Sequence, residues 1–267
     1  MCWNKKEITM SPAEMRMISI GRNVYSGGNG LNGCVNDTIN FPNKMLSPFP
    51  ILDIRRFADY KATVATYEAQ GSAAIATLSP GATVVIIADS CFSEGITRGN
   101  PNYGTHDDHF IKNRFYPNPR TNARPVRAKQ LFIRSDIRWL VISGCQENGT
   151  SADAFFKKYD QYMGALSYSL METIEKGMTW QEWYDATMVL ITSLGFDQIP
   201  TFEGPAIKKN EIIGSSETLI IHNSSHGTQV VDRHGDELDK YDEALYLDKV
   251  LIDDRIGVML EKIPLVA

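Results

Sequence analysis

The chain has 267 residues, 43% of them hydrophobic and 22% charged, with a formal net charge of −5. This is globular composition, long enough to bury one large core, and it excludes disordered and collagen-like chains. Residues 1–16 carry no apolar stretch of a secretory signal, no run approaches the roughly 18 apolar residues of a bilayer span, and the negative balance argues against unspecific nucleic-acid binding.

The first apolar run, residues 17–21 (MISIG), reads as a buried strand. A helical pattern over 36–46 follows a Gly-Cys turn, and a weaker run, 50–56 (PILDIRR), is a candidate fifth strand. Residues 61–78 are rich in Ala and run into Ser79-Pro80-Gly81, which stops a helix. The run 82–88 (ATVVIIA) is the second strong strand. Residues 98–129 then break the pattern, with seven Lys or Arg against two Asp and little periodicity, as in a long basic surface loop. The third strong strand is 137–143 (IRWLVIS). Helical periodicity returns over 165–176, and Thr179 with Glu182 forms a capping box for a helix running to Leu194. The fourth strand, 217–222 (ETLIIH), precedes a last helix over 253–263 that ends at Pro264. Strands that are apolar on both faces, alternating with helices, predict an α/β fold whose mostly parallel central sheet is covered by helices.

Two strand ends carry chemistry. Residues 82–88 run into Asp89-Ser90-Cys91-Phe92-Ser93, and 217–222 run into Asn223-Ser224-Ser225-His226-Gly227. Open α/β sheets bind ligands at the carboxyl ends of their strands, and a cysteine needs a base such as histidine to become a nucleophile. A cysteine in such a place is otherwise a small buried hydrophobe. Cys145, in Ser143-Gly144-Cys145-Gln146, is the competing nucleophile, and Cys2 is terminal. Four cysteines are too few for a disulfide scaffold. His222 and His226 have zinc-helix spacing but lack the intervening Glu, and His106-Asp107-Asp108-His109 has ligand-type residues without a further set.

Together with residues 31–37 (LNGCVND), 143–146 (SGCQ), 150–153 (TSAD), 164–168 (GALSY) and 236–243 (DELDKYDE), these segments resemble the caspase and metacaspase family of cysteine peptidases, metacaspases most nearly. The resemblance spans nearly the whole chain. It implies a single caspase-like peptidase domain over 1–267 and a cysteine endopeptidase, a hydrolase working through a thioester. Cys91 is the implied nucleophile and His226 its acid–base partner, and the backbone N–H groups of Cys91 and Gly227 form the oxyanion hole. The family's acidic pocket for an Arg or Lys before the cut maps onto Cys34, Asp37, Asp89 and Ser224. The implied partners are proteins or peptides with that basic residue, not nucleic acid or membrane, and the expected location is cytoplasmic. No cofactor is required for the chemistry.

The chain departs from the family in three ways. The histidine motif follows the cysteine motif, so residues 215–267 read as a relocated block in a circularly permuted domain, or as a block exchanged with a second chain. Asp253 and Asp254 correspond to part of the family's activating calcium site, yet 96–98 (ITR) supply no carboxylate. Phe92 and Glu94 alter the loop beside the nucleophile. The basic loop 98–129 stands where relatives carry a processed linker, which suggests self-cleavage at Arg114, Arg120, Arg124 or Arg127. A binding or regulatory module that keeps the fold without activity is the alternative reading, and a thiol-dependent acyltransferase is a third.

Overall fold

The computed structural model describes residues 13–91, 105–106, 109–114, 116, 138–146, 150–231 and 241–265. In chain order the elements are β1 (Met15–Gly21), α1 (Cys34–Met45), β2 (Ile51–Ala58), α2 (Val64–Ile75), β3 (Thr83–Asp89), the two-residue strands β4 (Thr105–His106), β5 (His109–Phe110) and β6 (Lys112–Asn113), and then β7 (Leu140–Ser143), β8 (Ala152–Phe156), β9 (Gln161–Gly164), α3 (Ala165–Thr173) and α4 (Trp180–Ser193). They continue with β10 (Thr201–Glu203), α5 (Ala206–Lys209), β11 (Thr218–Ser224), β12 (His226–Val231), β13 (Tyr241–Tyr246), β14 (Val250–Ile252) and α6 (Asp253–Leu260).

Six strands form the central sheet in the order β10-β7-β3-β11-β1-β2, all parallel except the antiparallel edge strand β10. The two-residue period of a strand divides its side chains between two cores. Ile18, Ile20, Val84, Ile86, Leu219 and Ile221 face Tyr67 and Ile75 of α2 and Ile256 and Leu260 of α6. Met17, Val85, Ile87, Leu140, Ile142 and Ile220 face Phe41 of α1, Leu166 and Leu170 of α3, and Trp180 and Trp183 of α4. Because both faces are covered, β3 and β11 are buried along their whole length. The C-terminal strand β11 thus sits mid-sheet, between this chain's own β1 and β3.

The helix boundaries follow their caps. The pattern over 61–78 narrows to Val64–Ile75 because the Thr63 hydroxyl accepts from the Thr66 N–H and starts the helix there. Thr179 and Glu182 make the expected capping box. The strand read over 137–143 is shorter, Leu140–Ser143, and the weak run 50–56 is the edge strand Ile51–Ala58. Two small antiparallel sheets flank the carboxyl ends of the central strands, β12-β13-β14 and β6-β8-β9. Among the described residues no helix is long and apolar enough to cross a membrane.

Candidate functional site

Parallel neighbours β3 and β11 end together, pairing Asp89 with Ser224. Their continuations bring Cys91 and Gly227 to one backbone oxygen, the carbonyl of Arg114. The Cys91 N–H donates to it at 3.3 Å and the Gly227 N–H at 2.8 Å. The approach needs a glycine at 227, because a Cβ there would collide with the Cys91 backbone.

Arg114 comes from the segment read as a surface loop, yet it is 0% exposed. β6 lays Lys112 and Asn113 antiparallel to β8, and the Arg114 N–H donates to Ser151 O at 3.0 Å, so 112–114 runs as an added strand. The guanidinium then bonds three of the four residues that the resemblance assigns to the acidic pocket, Asp37, Asp89 and Ser224. Its Nη1 donates to Ser224 Oγ at 2.6 Å and to Asp89 O at 3.0 Å, and Nη2 donates to Asp37 Oδ2 at 2.8 Å. Asp89 Oδ2 lies 3.4 Å from Nη1. Cys34 is buried beside this group, its thiol pushed up by burial.

Sequence reasoning missed several residues around the guanidinium. Asp153 accepts from Nη2 at 3.1 Å and also receives the N–H groups of Asn32 and Gly33. Gly164 forms the floor, where a Cβ would run into the guanidinium and Asp89, and its N–H donates to Asp37. Ser151 and Ser167 donate their hydroxyls to Asp89. Residues 150–153 and 164–168 lie in the segments that carried the resemblance, but nothing in them singled out a pocket role.

The electrostatics follow from one cation among three buried carboxylates. Burial works against the Arg114 charge, but the carboxyl groups of Asp89, Asp37 and Asp153 outweigh it and hold the guanidinium protonated. Burial pushes the Asp37 carboxyl up to about 7, opposed by Arg114. Asp153 is raised for the same reason, with the same opposition.

Cys91 is fully buried, and its thiol is raised well above the ordinary range by burial and then by the neighbouring Cys145 thiol. Its Sγ accepts from the Ser151 N–H at 2.7 Å. His226 is a neutral imidazole: burial lowers it to about 4, against the opposing pull of the Asn29 and Arg114 carbonyls. A carbonyl only accepts, so the 2.7 Å contact with Asn29 O fixes the proton on Nε2 and leaves the lone pair on Nδ1. That Nδ1 is buried and, among the described residues, has no hydrogen-bond partner, Cys91 included.

His222 lies in β11 and is likewise lowered to about 4 by burial, but both its nitrogens are bonded. Ser167 gives its proton to Asp89, so His222 Nε2 donates to Ser167 Oγ and Nδ1 accepts from Ser19 Oγ. Among the described residues no group of three or more His, Cys, Asp or Glu gathers to hold a metal. Asp253 and Asp254 stand in the first turn of α6. Asp107, Asp108, Phe92, Glu94, residues 96–98, Arg120, Arg124 and Arg127 lie outside the described residues, as do the side chains of His106 and His109.

No protein-family model matches the sequence, and no curated protein matches it. A structural-genomics protein from Geobacter sulfurreducens superimposes with a TM-score of 0.48 at 13% identity, covering 77% of this chain and 100% of its own. That likeness carries no argument about function.

Proposed function

We propose that this chain is a caspase-like cysteine endopeptidase that cuts after Arg or Lys, and that its own Arg114–Phe115 bond is its first substrate. One observation carries the reading: a basic side chain lies in the acidic pocket while its carbonyl accepts from the N–H groups of Cys91 and Gly227. A substrate residue before the scissile bond needs those two placements at once. The antiparallel pairing of 112–114 with β8 is how an extended peptide is read by main-chain bonds.

In this mechanism the Cys91 Sγ attacks the Arg114 carbonyl carbon while its proton passes to His226 Nδ1. The oxygen takes the charge between the two N–H donors. The imidazolium then protonates the leaving nitrogen of Phe115, and a thioester remains on Cys91. Water attacks that thioester while His226 Nδ1 takes one of its protons and passes it to the departing Cys91 sulfur; the new Arg114 carboxylic acid loses its proton to solvent, leaving a carboxylate and the free thiol. Since the resting thiol is neutral, proton transfer accompanies attack rather than preceding it.

In the same reading the sheet is the family's, but the rearrangement is not cyclic. The elements β1 to α2 still lead the chain, and the histidine block has moved from inside it to the end. No cyclic shift produces that order, so the rearrangement is a transposed block.

The bonds of Cys91 to Ser151 rather than to His226 favour the second reading, an inactive binding module that keeps the fold. Hydrolysis of short fluorogenic peptides ending in Arg, Lys or Asp, with and without calcium, separates the two. Cleavage after Arg or Lys that vanishes in Cys91→Ala is the expected result. Cleavage after Asp overturns the pocket, and no cleavage under any condition favours the module.

A further inference from the structure

Two residues beyond Arg114, the chain sets Tyr116 on a surface of aromatic rings. Its N–H donates to Gly227 O at 2.9 Å, which anchors the backbone against β12. Its ring stacks on Tyr246 with centroids 4.1 Å apart and planes 16° apart, and meets the His226 imidazole edge-on at 5.8 Å. Tyr25 lies 6.1 Å away, and the Tyr116 hydroxyl is 3.5 Å from Ser26 Oγ.

The receiving surface is held together without Tyr116. Tyr25 OH accepts from the His226 N–H at 3.0 Å and donates to Tyr246 O at 3.1 Å. The Tyr25 and Tyr246 rings stack at 5.7 Å, and Leu31 and Cys34 pack in the same cluster. Tyr25 follows β1 and Tyr246 ends β13, so only the folded chain joins them.

We infer that this surface is a specificity subsite selecting an aromatic side chain two residues after the scissile bond. The inference rests on the peptidase reading and names its substrate class: extended segments of the form Arg-X-aromatic. Two stacked rings gain more than their buried area alone, which an aliphatic side chain cannot reproduce. An aromatic there also packs against the imidazole that serves as base.

The test is competition in one tube between three synthetic peptides that differ at one position, Lys-Asn-Arg-Phe-Tyr-Pro and its versions with Leu or Ala in place of Tyr. The full-length chain is the enzyme, and an Arg-coumarin substrate with nothing after the cut is the control. The tyrosine peptide should be consumed about tenfold faster than the alanine peptide, with leucine near alanine. That ratio should fall toward one in Tyr246→Ala and return in Tyr246→Phe. Equal consumption of all three peptides with the coumarin substrate hydrolysed overturns the subsite and leaves the peptidase. Leucine equal to tyrosine shows a merely apolar patch and overturns the aromatic selection. Failure to cut the peptides and the coumarin substrate overturns both.

Discussion

The acidic pocket and the Cys91–His226 pair lie around the same Arg114 residue, and they distribute their hydrogen bonds in opposite ways. In the pocket, Asp37, Asp89 and Asp153 each take bonds from the guanidinium and from neighbouring N–H or hydroxyl donors. At the pair, His226 keeps a buried Nδ1 with no partner among the described residues, and Cys91 is a neutral thiol held by Ser151. A buried charge cluster is tolerated only when it is matched. A group that must move a proton has to keep a position open. On this account the pocket is where substitutions cost stability and the pair is where they cost rate.

The largest effect should come from the pair. Cys91→Ala should lower peptide hydrolysis by roughly a thousandfold or more while leaving urea unfolding within about 1 kcal/mol of wild type. A large loss of stability would erase the contrast. His226→Gln should lower kcat by about 100- to 10,000-fold, the range of a lost general base. The pH profile sharpens this further. Nδ1 accepts a proton only while the ring is neutral, and burial keeps it neutral down to about 4. Hydrolysis should therefore persist at pH 5.5, and an acid limb at the ordinary histidine value of about 6.5 would contradict the buried, neutral base.

The pocket should respond in stability. Arg114→Ala leaves three buried carboxylates without their cation and should cost about 3–5 kcal/mol in urea unfolding. Arg114→Lys should cost less, because it keeps the charge and loses only the fork. If Arg114→Ala unfolds like wild type, the pocket is not the matched cluster described.

The smallest effect concerns His222, the bonded counterpart of His226. Its folded value of about 4 lies below the ordinary 6.5. The unfolded chain therefore binds the proton first, and the stability present above pH 6.5 is lost as pH falls toward 4, by roughly 3 kcal/mol at most. Asp37, raised to about 7, works in the opposite direction, its contribution being lost as pH rises through 7. His222→Gln removes only the histidine component, so between pH 4 and 6.5 its stability should rise less, or fall more, than that of wild type. An unchanged slope would show that His222 is not the buried neutral ring in the serine-lined slot.

How much of this was legible in the sequence depends on the range of the interaction. The strands 15–21, 83–89 and 218–224 announce themselves because residues buried on both faces must be apolar. Cys91, Gly227, Cys34, Asp37, Asp89 and Ser224 lie at strand ends or a helix start, inside the short motifs that carry the family resemblance, and that resemblance named them. Arg114 was one of seven basic residues in an aperiodic stretch. Nothing local marks it, since its place is set by pairing with β8, which begins 38 residues later. Asp153 and Gly164 escaped for the same reason, their roles being set by the guanidinium they surround.

The most direct measurement of the central claim is intact mass spectrometry of the purified chain after long incubation, beside Cys91→Ala. Two fragments, 1–114 and 115–267, are expected in the wild type, and an uncut chain in Cys91→Ala. A wild-type chain that stays whole while hydrolysing Arg peptides, or one cut elsewhere, would contradict it.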